Sequence, residues 1–260
     1  VIDAMVFAAG LGTRLRPLTD ELPKALVRVG GMTVLERTVR RLAGAGAERI
    51  VVNAHHHLGL VERELARLAD LGLRGGDGSG PPIELRISPE PERPLETGGG
   101  LRRAAPLFHG DRPVLLHNVD VVSRIDLRAL VAAHAAAGRG HRPTFPPALA
   151  TLAVHDRRST RQLLFDDFGL YGRRHVASGR TEIAREPRGP RRSVGFAGLH
   201  VVAARLPGLL PDEEVFSITD AYLRLAARGD RIAGHDVSGA GWWEIGTAER
   251  LAEARQALET

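Results

Sequence analysis

The stretch Val6-Phe7-Ala8-Ala9-Gly10-Leu11-Gly12-Thr13-Arg14-Leu15-Arg16-Pro17-Leu18-Thr19 is followed closely by Leu22-Pro23-Lys24-Ala25-Leu26-Val27. Residues 2–8 are an apolar run of strand length, and the small residues Ala8, Ala9, Gly10 and Gly12 after it let backbone amides approach a bulky partner. Leu11 and Thr13 complete the loop, and the cations Arg14 and Lys24 flank it. A strand that runs into such a loop reads as a phosphate cradle, because a triphosphate is held better by fixed donors than by mobile water.

Two other glycine loops are excluded by counting. A Walker loop needs a Gly-Lys pair, and the chain has none. A dinucleotide fingerprint needs a small residue three positions after the second glycine, where this chain has Leu15. Lysine usage singles out one residue: of 36 lysines and arginines, only Lys24 is a lysine. A chain that otherwise uses arginine has kept one compact ammonium, which can follow a phosphate through a reaction.

Working outward, residues 34–45 read as an amphipathic helix and 49–53 as the next strand, ending at Asn53, one of two asparagines. Helices over 60–71, 101–107, 126–137, 216–227 and 248–258 alternate with strands over 83–87, 112–120, 150–155, 193–203 and 231–237, and 163–186 reads as hairpins. This order predicts an α/β fold with a Rossmann-like mixed, mostly parallel sheet and helices on both faces, in one domain over 1–260. Asp120 closes a buried strand, where ligands of open α/β sheets bind. Three adjacent histidines, His55, His56 and His57, point in different directions and read as a turn, not a metal site. Gly98-Gly99-Gly100 reads as a loop that lets a flat ligand come close, and the polar connector 138–147 carries no functional reading.

Composition narrows the partners. The absence of cysteine excludes disulfides and thiol chemistry, and it fits a cytoplasmic location. No apolar run is long enough to span a membrane, and the start of the chain lacks the pattern of a signal peptide. The net charge is +5, but the arginines are scattered, with short clusters at 173–174 and 185–192, and aromatics make up only 4% of residues. That pattern supplies no stacking platform for nucleic acid.

Gly10-x-Gly-Thr-Arg-x-x-Pro-Leu-Thr followed by Pro23-Lys24-Ala25-Leu26-Val27 resembles the signature of the sugar-1-phosphate nucleotidyltransferases. The resemblance implies a GT-A-like nucleotidyltransferase fold, with nucleotide held by residues 1–120 and sugar by 121–260. It implies catalytic roles for Arg14, Lys24 and Asp120 and nucleotide contacts from Ala8 to Arg14. In the family a Pro-Leu-x-Thr segment lies beside the base, which implies that Glu96, Thr97 and Gly98 contact the nucleotide. The Leu95-Glu96-Thr97-Gly98-Gly99-Gly100 form is similar to the N-acetylmuramate-1-phosphate uridylyltransferase branch and implies UTP, with GTP next. The family's Trp-x-Asp-x-Gly-Thr motif appears as Trp242-Trp243-Glu244-Ile245-Gly246-Thr247, so Asp120 and Glu244 would hold Mg²⁺.

The chain departs from the family at Val119, where a small residue is usual, at Glu244, and at Arg185-Glu186-Pro187, which lacks the lysine of the sugar-side motif. The expected reaction joins a nucleoside triphosphate to a sugar-1-phosphate with release of pyrophosphate. Mannose- or heptose-1-phosphate guanylyl transfer, and a regulatory homologue that binds nucleotide sugar without turnover, are the alternatives. Oligomeric state is not readable from the sequence.

Overall fold

The computed structural model of the chain describes residues 1–138 and 145–259, so most of the connector 138–147 lies outside the described residues. The apolar run becomes β1 (Ile2–Phe7), which leads through two 3-10 turns (Thr13–Leu15 and Lys24–Leu26) and the short α1 (Leu18–Glu21) to the hairpin β2 (Arg28–Val29) and β3 (Met32–Thr33). The first half continues with α2 (Val34–Gly44), β4 (Ala47–Ala54), α3 (Leu58–Asp70), β5 (Glu84–Pro89), α4 (Glu96–Ala104), β6 (Val114–Asn118), β7 (Val121–Ser123) and α5 (Leu127–Gly138). The second half is β8 (Ala150–His155), β9 (Arg161–Phe165), β10 (Leu170–His175), β11 (Thr181–Ile183), β12 (Arg192–Val202), α6 (Ile218–Ala227), β13 (Ile232–Asp236), β14 (Trp242–Glu244) and α7 (Ala248–Glu259).

One ten-stranded mixed sheet draws on both halves, in the order β11-β10-β9-β12-β6-β1-β4-β5, with β8 attached beside β12 and β13 beside β8. Strands β6, β1, β4 and β5 run parallel, as do β8 and β13, whereas β12 is antiparallel to β6, β8 and β9. The alternation along β1 sorts its side chains between two cores. Ile2, Ala4 and Val6 pack with α2 and α3 on one face, while Met5 and Phe7 pack with α4 and α6 on the other.

Parallel pairing brings the strand ends together. Phe7 lies in register with Asn53 on one side and Asn118 on the other, so the chain's two asparagines flank the end of the central strand. The chain leaves β1 toward β4 and returns to its other side at β6, which opens the crevice where such sheets bind ligands. Helix starts follow local chemistry: Asp126 Oδ1 accepts from the Ala129 amide at 3.0 Å, and the Ser217 hydroxyl caps α6.

The helix expected over 101–107 begins earlier, at Glu96, and takes in the glycine triplet. Each glycine costs an isolated helix about 1 kcal/mol relative to alanine, so the local signal favours a loop. Tertiary packing overrides it. A Cβ on Gly98 would lie 2.3 Å from the Phe216 ring, and one on Gly99 would lie 2.1 Å from the Glu214 carbonyl oxygen.

Candidate active site

The crevice at the ends of β1, β4 and β6 holds a cavity of about 460 Å³. Ala9 to Arg14 form one wall, Pro94, Glu96 and Thr97 face it, and Asn118, Val119 and Asp120 close the end of β6. Lys24 and Gly246 complete the rim. Of the residues read from the sequence, Ala9, Gly10, Leu11, Gly12, Thr13, Arg14, Lys24, Glu96, Thr97 and Asp120 therefore border one cavity. Ala8 lies behind the wall, its amide donating to Asn53 Oδ1 at 2.7 Å. Gly98 does not border the cavity: its amide donates to the Phe216 carbonyl at 2.9 Å, so its missing side chain makes room for this protein's own second half.

The cradle's turn depends on Gly12, whose φ of 64° is left-handed. The Gly12 carbonyl accepts from the Leu15 amide at 2.9 Å and from the Thr19 hydroxyl at 2.8 Å, fixing the turn from both sides. Gly10 differs, because a Cβ there would meet nothing within 4 Å. That space is open to a ligand.

The charged groups pair with one another at the rim, Glu244 itself lying outside the cavity's lining. Lys24 Nζ donates to Asp120 Oδ2 at 2.8 Å, with the lysine side chain only 10% exposed. Arg14 Nη2 approaches Glu244 Oε1 at 3.3 Å, and Arg250 Nη1 donates to Glu244 Oε2 at 2.7 Å. Backbone pairing produces this convergence: Glu244 stands opposite Val121 in the β7–β14 pair, and the Ile245 amide donates to the Asp120 carbonyl at 2.8 Å. Val119, a departure from the family pattern, is buried in the apolar core although its residue borders the cavity.

Among the described residues no group of three or more His, Cys, Asp or Glu is arranged to hold a metal ion. The protein offers two carboxylates, Asp120 and Glu244. These are hard oxygen donors of the type a Mg²⁺ ion accepts when substrate phosphates and water supply its other ligands.

Residues 3–147 match the Nucleotidyl transferase family. Over 256 residues, covering 98% of this chain and 96% of the relative, the sequence is 36% identical to N-acetylmuramate alpha-1-phosphate uridylyltransferase of Caulobacter vibrioides. The chain belongs to the sugar-1-phosphate nucleotidyltransferase family. This nucleotidyltransferase is also 34% identical to mannose-1-phosphate guanylyltransferase of Mycobacterium tuberculosis, over 51% of the chain and 34% of that protein. The UDP-glucose pyrophosphorylase structure from Acinetobacter baumanii superposes with a TM-score of 0.72 at 17% identity, over 99% of this chain and 93% of the other, a likeness of fold.

Several residues in or next to the nucleotidyltransferase's crevice are not assigned by sequence reasoning. Asn53 and Asn118 could have been paired from the rule that parallel strand ends converge. Glu90 and Arg250 carry no sequence signal, since each is one charged residue among many.

Proposed function

We propose that the protein transfers UMP from UTP to a sugar-1-phosphate, with N-acetylmuramate 1-phosphate first among the acceptors, and releases pyrophosphate in a Mg²⁺-dependent reaction. The observation that carries this reading is the single cavity in which Ala9 to Arg14, Lys24, Glu96, Thr97 and Asp120 meet. The identity to the Caulobacter uridylyltransferase along nearly the whole chain supports uridine and an amino-sugar acceptor over the guanylyl alternative, whose relative matches about half the chain.

In this mechanism the amides of Gly10 to Thr13 and the Arg14 guanidinium bind the triphosphate and orient the α-phosphorus. An oxygen of the sugar phosphate attacks that phosphorus in line, a new phosphorus–oxygen bond forms, and the bond to the β-phosphate breaks as pyrophosphate leaves. The attacking oxygen is already ionised at neutral pH, so no side chain has to remove a proton. Catalysis then rests on positioning and charge stabilisation. Lys24, released from Asp120, neutralises charge where the two phosphates meet. Asp120 and Glu244 would hold Mg²⁺, which when bound would offset the repulsion between two anionic substrates.

The test is pyrophosphate release with Mg²⁺, using UTP, GTP, CTP, ATP and dTTP against sugar-1-phosphates that include N-acetylmuramate 1-phosphate. Release that requires both UTP and the muramate phosphate is the expected result. Release with GTP and a mannose or heptose phosphate would move the protein to the guanylyl branch. Tight nucleotide-sugar binding with no release would make it a non-catalytic relative.

A further inference from the structure

Behind the cavity lies a carboxylate that no cation pairs with among the described residues. Glu90, just after β5, is 1% exposed, and Asn53, at the end of β4, is 2% exposed. Three hydrogen bonds of 2.7 Å join them to the two walls of the crevice. The Ala8 amide donates to Asn53 Oδ1, Asn53 Nδ2 donates to Glu90 Oε1, and the Leu95 amide donates to Glu90 Oε2. Glu90's own backbone is tied in as well, its amide donating to the Ala54 carbonyl at 2.8 Å.

The two ends of this chain of bonds matter. Ala8 opens the segment that forms the phosphate-side wall, and Leu95 immediately precedes Glu96 and Thr97 on the facing wall. Glu96 has a φ of 58°, a left-handed conformation that a residue with a side chain adopts only when its neighbours are fixed. Leu95 is fixed by Glu90, and on the other side the Thr97 hydroxyl accepts from the Ile218 amide at 3.0 Å. Gly100 leaves room for the arrangement, since a Cβ there would lie 2.7 Å from Asn53 Nδ2 and 2.9 Å from Glu90 Oε1. A buried carboxylate that only neutral donors satisfy is costly to keep, and its full set of bonds makes it rigid.

We propose that Glu90, acting through Asn53, is a positioning residue for the nucleotide: it sets the spacing of the two walls and thereby the affinity for the nucleoside triphosphate, leaving sugar-phosphate affinity alone. The inference rests on the nucleotide-transfer reading given above.

Donor and acceptor polarity supplies the test. Glu90→Gln replaces one acceptor by a donor, so either the Leu95 amide or Asn53 Nδ2 faces another donor. Adding Asn53→Asp restores the match, because the new carboxylate accepts from both the Ala8 amide and the introduced amide. Measured by calorimetry with UTP and Mg²⁺, Glu90→Gln should weaken nucleotide binding about 10- to 100-fold, the size expected when the mismatched donors shift the two walls in the free protein and nucleotide binding must draw them back. In steady-state assays KM for the nucleotide should rise with it, while KM for the sugar phosphate stays within about twofold. Amide hydrogen exchange of the ligand-free protein should show Ala8 and Leu95 losing protection, and the double variant should recover affinity and protection together.

If Glu90→Gln fails to fold, Gly100→Ala presses on the same pair from α4 and carries the same expectation. Unchanged nucleotide affinity in a folded Glu90→Gln protein, equal rises in both KM values, or no recovery in the double variant would overturn the proposal. Nucleotide binding without turnover in the unsubstituted protein would defeat the transfer reading alone, because the affinity comparison between variants would still hold.

Discussion

The chain has two glycine-rich segments at its crevice, Gly10-Leu11-Gly12 and Gly98-Gly99-Gly100, and it uses them in opposite ways. Around Gly10 a Cβ would meet nothing within 4 Å. Around Gly98 and Gly99 it would strike Phe216 and Glu214, at 2.3 and 2.1 Å. Gly10 leaves space for something the protein does not contain, whereas the space at Gly98 and Gly99 is filled by the protein's own second half. Glycine marks close approach in both cases. Which partner approaches is decided by the fold.

The largest effect expected from this contrast falls on the open segment's cation. Lys24→Ala should lower turnover about 10²- to 10³-fold, the range for removing a preorganised donor. Unfolding in urea should change little, because Asp120, the partner left behind, has a side chain 26% exposed and can be hydrated. Full turnover in the folded variant would remove Lys24 from the mechanism.

The closed segment should fail in the other way. Gly99→Ala places a methyl group against a backbone carbonyl that cannot rotate aside, and it should lower stability by about 3 kcal/mol, the upper part of the overpacking range. Alanine's better helix propensity offsets at most about 1 kcal/mol of that. Equilibrium unfolding measures it. A variant as stable as the parent would mean that α4 and the 214–216 segment are not packed as described.

These two segments also show what the sequence could convey. The alternation of strands and helices, the glycine loop after β1 with Arg14 and Lys24 beside it, and Asp120 near a strand end were legible, because each follows from local period or from residue type and spacing. The helical state of the glycine triplet was not, since local propensity argued for a loop and a contact more than a hundred residues away decided the matter. Glu90 was illegible for a related reason. In Ser88-Pro89-Glu90-Pro91-Glu92 it looks like a surface charge, and only the fold buries it beside Asn53. That the segments carrying Asp120 and Glu244 adjoin could be expected only through the family resemblance, as it depends on the β7–β14 pairing.

Acid should weaken the closed side of the comparison. His117 on β6 and His200 on β12 are fully buried where the two halves join, and burial pushes both down to about 3 from an ordinary 6.5. The Tyr222 hydroxyl is 2.8 Å from His200 Nδ1. Because the folded values are depressed, the unfolded chain binds more protons between pH 6.5 and about 3. Stability from these groups is complete above pH 6.5 and falls as pH drops through that window, by about 1.4 kcal/mol per histidine per pH unit. Unfolding measured at pH 5.5 and 4.5 should show this loss, and His200→Gln should flatten the slope. An unchanged slope would mean that this histidine does not titrate on unfolding.

The smallest effect on stability belongs to Gly10→Ala, and it is the sharpest test of the comparison. The φ of Gly10 is not in the left-handed region, and its neighbourhood is empty, so an added methyl group strains neither backbone nor packing. Stability should change by less than about 0.5 kcal/mol, as for surface substitutions away from special features. In the proposed mechanism the same methyl group would crowd the amides that bind the phosphates, so nucleotide KM should rise about tenfold, equivalent to about 1.4 kcal/mol of lost binding. Parent-like nucleotide KM would show that this amide wall does not carry the phosphates. A large loss of stability would instead show that Gly10, like Gly99, is spaced for the protein's own chain, and the distinction between the two segments would collapse.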